Sequence, residues 1–389
     1  MTKKILETSH AIAEAVKMIK PGVIAAYPIT PQTHIVERLS EMVANHEINA
    51  KYINVESEFS ALSACLGAEA TGVRTYTSTS SQGLALMFEV LFVVSGLRLP
   101  IGMTVANRAL SAPINIWGDH QDSISVRDSG WLQFYAETSQ EAFDLTIMQY
   151  KISESKDILL PSMVCIDGFT LSHVYEPVFI PAQEEIDEFL PEYKAEIYLD
   201  PDKPMTFGPI AFPSHFMEIK YSQQKAIENS ITKIKEVFKE FSEKFPVKIE
   251  NSRPKNYDVV EAYKLEDSKV AFVALGSLCG TLKFMIDKFR EKGEKVGLLK
   301  ILCYRPFPKE EIVKNLKDME KIAVIERAIS LGANSPVFDE IRSAFYNEKK
   351  PEISSFIVGL GGRDITFGNI EKIYKLVKEG KVKKQEWIF

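Results

Sequence analysis

Apolar residues along the first half of the chain follow two alternating patterns: short unbroken runs, and longer stretches with apolar positions three or four residues apart. Ala11, Ile12, Ala15, Val16 and Ile19 share a helical face. Ser9 is placed to cap a helix through Met18, and Pro21-Gly22 ends it. The run Val23-Ile24-Ala25-Ala26-Tyr27 reads as a buried strand, stopped by Pro28-Ile29-Thr30-Pro31. A helix over 32–44 follows, with Ile35, Val36, Leu39, Met42 and Val43 apolar. A strand is predicted at 52–55, then a helix rich in small residues through 62–72. A third strand, 73–79, ends in Ser80-Ser81-Gln82-Gly83 before a strongly apolar helix at 84–95. A fourth, 100–106, ends at Asn107-Arg108, and a long loop runs over 109–122. A helix near 139–155 precedes a fifth strand, 160–166, ending at Asp167-Gly168. This alternation predicts a parallel sheet with helices on both faces.

The second half repeats the pattern on a smaller scale. Residues 177–213 have little periodicity and read as a long excursion, and 222–244 as a charged amphipathic helix with Ile227, Ile231, Ile234 and Phe238 on one side. A linker is predicted at 246–256. Strands at 270–275, 296–302, 322–325 and 356–358 then alternate with helices at 281–292, 309–319, 337–345 and 370–378. The expected fold is α/β with two parallel-sheet domains, 1–245 and 257–389.

Thr30, Glu58, Ser80-Ser81-Gln82, Arg108 and Asp167 all fall at predicted strand carboxyl ends, where open parallel sheets place their chemistry. Ser57 is a natural N-cap, so Glu58 lies in a first helical turn, where a carboxylate complements the helix dipole by about 0.3–1 kcal/mol. Capping explains one such residue but not Thr-Pro, Glu, Ser-Gln and Arg at successive ends, so a shared cleft is predicted. Asp119-His120-x-Asp122 reads as structural rather than metal-binding, and His10 and His173 as ordinary. Gly276-Ser277-Leu278-Cys279-Gly280 and Gly359-Leu360-Gly361-Gly362-Arg363 read as tight turns. The strand after the first of these ends in Tyr304-Arg305, not in an acid that would hold a ribose, which disfavours a nucleotide-binding dehydrogenase.

A net charge of −6 argues against a nucleic-acid or anionic-membrane surface as the main partner. No apolar run approaches the roughly 18 residues of a membrane span, and no signal-peptide pattern opens the chain, so a cytoplasmic protein is expected. The four cysteines, Cys65, Cys165, Cys279 and Cys303, lie in no C-x-x-C pair and read as buried thiols, so no iron–sulfur cluster is expected in this chain.

Tyr27-Pro28-Ile29-Thr30-Pro31, Val55-Glu56-Ser57-Glu58, Ser80-Ser81-Gln82-Gly83-Leu84 and Asn107-Arg108-Ala109-Leu110-Ser111 together resemble the alpha subunit of the pyruvate:ferredoxin oxidoreductase family. The resemblance continues through Trp117-Gly118-Asp119-His120-Gln121-Asp122-Ser123, Asp167-Gly168-Phe169 and Gly359 to Asp364. It implies an N-terminal domain of the thiamine diphosphate pyrimidine-binding type and a C-terminal domain of the transketolase C-terminal type. It implies oxidative decarboxylation of pyruvate with coenzyme A, electrons passing to ferredoxin, by a complex of alpha, beta, gamma and delta subunits or their equivalents. The beta subunit would hold the diphosphate through Mg²⁺, and partner subunits the [4Fe-4S] clusters. This chain has no G-D-G motif with a downstream Asn, so it should be inactive alone. By the same resemblance Glu58 meets the pyrimidine nitrogen of thiamine diphosphate, with a neutral carboxyl favoured by burial. Pro28, Ile29, Ser81 and Gln82 flank that cofactor. Arg108 binds the substrate carboxylate and Thr30 meets the substrate. Glu56 is the competing carboxylate. The loop 109–117 is the expected wall against larger side chains, making pyruvate preferred, 2-oxobutyrate tolerated and 2-oxoisovalerate poor. The alternatives are a branched-chain 2-oxoisovalerate enzyme and a non-catalytic scaffold subunit of the same fold.

Overall fold

A computed structural model of the chain describes residues 2–248, 250, 252–348, 351–382 and 385–389. Its larger sheet has seven strands, in the order Cys303–Arg305, Leu132–Tyr135, Ser162–Asp167, Gly102–Asn107, Thr75–Thr79, Val23–Ala26 and Lys51–Asn54. All neighbours are parallel except the Cys303–Arg305 edge, which is antiparallel to Leu132–Tyr135. Successive residues of one strand pack into different cores, because side chains alternate across a sheet. Ile24, Phe134 and Val164 pack with helices Thr8–Ile19, Thr33–Ala44 and Ser139–Ser153. Ala25, Tyr135 and Cys165 pack with helices Glu58–Ala70 and Phe88–Gly96.

The smaller sheet has six strands, in the order Gln385–Trp387, Glu352–Ile357, Lys321–Glu326, Val270–Ala274, Val296–Ile301 and Val260–Tyr263, the last antiparallel. Met103 and Met163 of the first sheet share a core with Val273, Leu299 and Ile322 of the second. The two sheets are therefore packed against each other. Charged groups reinforce the seam. Lys300, fully buried, donates to Glu137 at 2.7 Å and pairs with Glu141 and Glu261. These carboxylates hold its ammonium well above its ordinary pKa despite burial.

Several elements differ from the expectation. The chain starts with a strand, Thr2–Glu7, antiparallel to Tyr175–Ile180, and Glu7 rather than Ser9 occupies the N-cap of the first helix. The excursion therefore begins as a strand and continues into the helix Gln183–Phe189. The apolar helix expected at 84–95 is two pieces, Ser81–Leu86 and Phe88–Gly96. The charged helix begins at Pro213, not Ser222. Strands Leu132–Tyr135, Val260–Tyr263, Cys303–Arg305 and Gln385–Trp387 were not anticipated: each is three or four residues long, too short for a period to show. Within the expected linker, Ile249 and Asn251 lie outside the described residues. The four thiols are free and buried, and burial pushes Cys65 up to about 12.

Strand order positions the site. From Val23–Ala26 the chain moves outward to the edge strand Lys51–Asn54, then returns across it to Thr75–Thr79 and continues towards Gly102–Asn107. Connections thus leave the adjacent strands Val23–Ala26 and Thr75–Thr79 in opposite directions. A crevice opens at their carboxyl ends, where such sheets bind ligands. Gln32, fully buried, stitches its two sides by donating to Ser78 O at 2.9 Å and Ser78 Oγ at 2.6 Å.

Candidate active site

Glu58 opens the helix Glu58–Ala70 because Ser57, in an extended conformation, accepts the Ser60 N–H at 3.3 Å. Its side chain turns inward and is 7% exposed. It lies against Gly83: a β-carbon there would come within 2.6 Å of Glu58 Oε1 and 2.4 Å of Thr79 Oγ1. The Glu58 carboxyl makes no hydrogen bond or ion pair among the described residues, and the buried hydroxyls of Thr79 and Ser80 are also unpartnered. Glu56, two residues earlier, is exposed and accepts from Ser60 Oγ. That hydrogen bond holds it below the usual carboxylate range.

Arg108 follows the strand Gly102–Asn107 and is buried. Its Nε donates to Asn115 O at 2.9 Å and its Nη1 to Thr30 O at 2.8 Å. The guanidinium therefore joins the loop after its own strand to the loop after Val23–Ala26. Burial pulls its pKa below the ordinary value, while the nearby carboxyls of Asp122 and Glu58 oppose the shift. Thr30 and Pro28 are exposed and Ile29 is half-buried at the same strand end. Gln82 is half-buried, with Nε2 3.5 Å from Ser111 O. Thr30, Glu58, Gln82 and Arg108 thus rise from four neighbouring strand ends.

Asp122 organises this edge, although its sequence motif reads only as structural. Its Oδ2 accepts the backbone N–H groups of Ser81 and Arg108, both at 2.9 Å. Its Oδ1 accepts from Asn107 Nδ2 and Ser123 N, both at 2.7 Å. Burial pushes its carboxyl up to about 6. Ser81 needs this support, since its φ of 47° lies in the left-handed region that disfavours a side chain.

Asp167 stands apart from the cleft predicted for it. It is wholly buried between the two sheets, paired with His120 and with Arg327 Nη1 at 3.2 Å, and it accepts the Ser277 N–H at 2.8 Å. Burial alone would raise its pKa, but His120, Arg327 and the hydrogen bonds outweigh it and hold the carboxyl well below the usual range. The two glycine-rich turns serve the same seam. A β-carbon on Gly276 would meet Asp167 Oδ2 at 2.9 Å, and one on Gly362 would meet Trp117 Cβ at 2.2 Å. Asp119 accepts the Gly361 N–H at 2.9 Å. Two cavities of about 1130 and 1360 Å³ lie elsewhere, and neither is lined by Glu58, Thr30 or Arg108. Among the described residues no helix is long and apolar enough to cross a membrane.

Fold and site define an α/β protein with a polar crevice across the carboxyl ends of a parallel sheet, containing a carboxyl group with no hydrogen-bond or ion-pair partner among the described residues. The family described as pyruvate flavodoxin/ferredoxin oxidoreductase, thiamine diphosphate-binding, matches residues 14–239, and that described as pyruvate:ferredoxin oxidoreductase core domain II matches 268–370. The chain belongs to the pyruvate:ferredoxin oxidoreductase family. It is 52% identical to pyruvate synthase subunit PorA of Pyrococcus furiosus, over 99% of this chain and 97% of that one. It is 43% identical to ketoisovalerate oxidoreductase subunit VorA of Pyrococcus horikoshii, over 99% and 97% respectively. A 2-oxoglutarate:ferredoxin oxidoreductase structure from Magnetococcus marinus shares the fold, with a TM-score of 0.73 at 17% identity. That match covers 96% of this chain, which spans only 65% of the other's length.

Proposed function

We propose that this chain is the alpha subunit of a pyruvate:ferredoxin oxidoreductase. The complex oxidises pyruvate and coenzyme A to acetyl-CoA and CO₂, with two electrons passed to ferredoxin and one proton released. The observation that carries the reading is the Glu58 carboxyl, buried at the crevice without a hydrogen-bond or ion-pair partner among the described residues. A carboxyl in that state is open to a hydrogen-bonding group from outside. The pyrimidine ring of thiamine diphosphate fits this need, and the unpartnered hydroxyls of Thr79 and Ser80 add polar capacity nearby. Bound there, thiamine diphosphate supplies a nucleophilic carbon and an electron sink for loss of CO₂ from a 2-oxoacid.

Glu58 would hold the ring nitrogen, and Pro28, Ile29, Ser81 and Gln82 would form the wall around it. Arg108 pairs with the substrate carboxylate, a task suited to its fork of donors, and Thr30 offers its hydroxyl beside the ketone. The diphosphate, Mg²⁺ and [4Fe-4S] clusters belong to the beta, gamma and delta subunits. The elements that carry the site also present Phe59, Leu86, Phe88, Ile114 and Trp117 to solvent, between 39% and 81% exposed. Covering these by the beta subunit would close the crevice and exclude water. Higher identity to the pyruvate than to the ketoisovalerate relative supports pyruvate as the substrate.

The test compares the isolated chain with the complex purified from its native source, assayed with a low-potential electron acceptor. The complex should oxidise pyruvate in a coenzyme A-dependent reaction, and the isolated chain should not. Turnover by the isolated chain would overturn the subunit assignment. A higher kcat/KM of the complex for 2-oxoisovalerate would overturn the substrate.

A further inference from the structure

Beside the crevice, two imidazoles gather at one carboxylate, with a third ring nearby. Glu7 ends the strand Thr2–Glu7 opposite Tyr175 and is only 4% exposed. Its Oε1 lies 2.6 Å from Nδ1 of His34, in the first turn of the helix Thr33–Ala44. The His34 ring centroid is 4.5 Å from that of His173 and 6.4 Å from that of His10. One donor atom each from Glu7, His34 and His173 lies within 4.8 Å of the others. Among the described residues no Lys or Arg forms an ion pair with Glu7; His34 is its partner. A carboxylate buried to this extent requires a compensating positive charge.

We propose that Glu7, His34 and His173 form a structural binding site for a divalent transition-metal ion of the zinc class. Two imidazoles and a carboxylate suit zinc, which binds such groups at about 2.0–2.2 Å and leaves a fourth position for water or His10. Tetrahedral ligand atoms then lie about 3.4 Å apart, so the three side chains need only small movements to meet one ion. His173 is prepared for the role. Its Nδ1 is 2.7 Å from Ser172 Oγ, which leaves Nε2 as the ligand nitrogen. The His34 side chain, 41% exposed, gives the ion a way in.

The position suggests what the ion does. His34 lies one helical turn beyond Thr30, and Gly168, five residues before His173, packs so closely on Pro31 that a β-carbon there would lie 2.8 Å from Pro31 Cγ. The ion would fasten the first strand to the helix that follows Thr30 and to the loop that follows Asp167.

The experiment uses the full chain, stripped by a chelator and then titrated calorimetrically with Zn²⁺ and spectroscopically with Co²⁺. Wild type should take up one tight equivalent, give the visible absorption of tetrahedral Co²⁺, and melt at a higher temperature with Zn²⁺. His34→Ala and His173→Ala should each weaken binding by roughly tenfold or more and lose the thermal shift. His46→Ala, an exposed histidine elsewhere, should behave as wild type. Equal melting temperatures in chelator establish that the variants fold. The volume-conserving Glu7→Gln, which removes only the charge, should weaken binding as well. Absence of a tight equivalent in wild type, or unchanged binding in the folded His34 and His173 variants, overturns the site.

Discussion

Two carboxylates two positions apart differ by what surrounds them. Glu56 is exposed and has the Ser60 hydroxyl; Glu58 has the close approach of Gly83 and no hydrogen-bond or ion-pair partner among the described residues. If Glu58 acts as an acid towards the cofactor, its amide analogue cannot replace the proton it carries. Glu58→Gln should lower kcat of the assembled complex by roughly 10²–10⁴-fold, and Glu56→Gln by much less. Steady-state kinetics on complexes of verified composition decide this, and the reverse ranking would transfer the role to Glu56. Arg108 is tested by the substrates it cannot distinguish, since every 2-oxoacid carries the same carboxylate. Arg108→Ala should reduce kcat/KM for pyruvate and 2-oxobutyrate in parallel, by about 2–5 kcal/mol. Unchanged kcat/KM would remove Arg108 from substrate binding. Thr30, Glu58 and Arg108 were legible as polar residues at strand ends. Asp122, which aligns Ser81 and Arg108, was not legible as a site organiser, because three of its four donors, from Ser81, Asn107 and Arg108, lie on two other strand ends.

The helices Glu58–Ala70 and Ser81–Leu86 meet through Gly83, where the close approach leaves no room for a methyl group. Gly83→Ala must push aside Thr79, Glu58 or the short helix itself. Overpacking of this kind typically costs about 1–3 kcal/mol. The melting temperature of the chain should fall, and kcat of the complex should fall roughly tenfold or more through misplaced Glu58. A variant with unchanged melting and turnover would show that the two helices yield without disturbing the carboxyl.

Asp167 ties the two sheets into one body through His120, Arg327 and Ser277. Its pKa is lower in the folded chain than the roughly 3.9 of an unfolded aspartate. Its contribution to stability is therefore complete above that value and is lost as pH falls towards the folded one. Asp167→Asn should destabilise the chain by about 3–5 kcal/mol near neutral pH, because it leaves buried Arg327 without its carboxylate. The difference from wild type should shrink as pH drops below about 4. Urea unfolding at neutral pH and at pH of about 3 measures both. A pH-independent difference would mean that Asp167 acts through shape rather than charge.

The alternation of strands and helices, the Ser57 cap and the polar strand ends rest on neighbours within a turn or two, so the sequence alone determined them. Strand order rests on distant partners. Cys303–Arg305 is three residues long and completes a sheet built otherwise from the first half of the chain. Asp167 and Glu58 look alike in sequence, each a carboxylate at the carboxyl end of a predicted strand. Packing of the second sheet brings Arg327 and Ser277 to the first, whereas the second has no hydrogen-bond or ion-pair partner among the described residues. His10, His34 and His173 carry no shared motif, and only strand pairing and helix packing between distant segments bring His34 and His173 to Glu7. Local periodicity specifies which residues form an element. Which polar groups find partners, and which are left free for chemistry, depends on burial and charge summed over segments far apart in the chain, and the tertiary structure alone decided it.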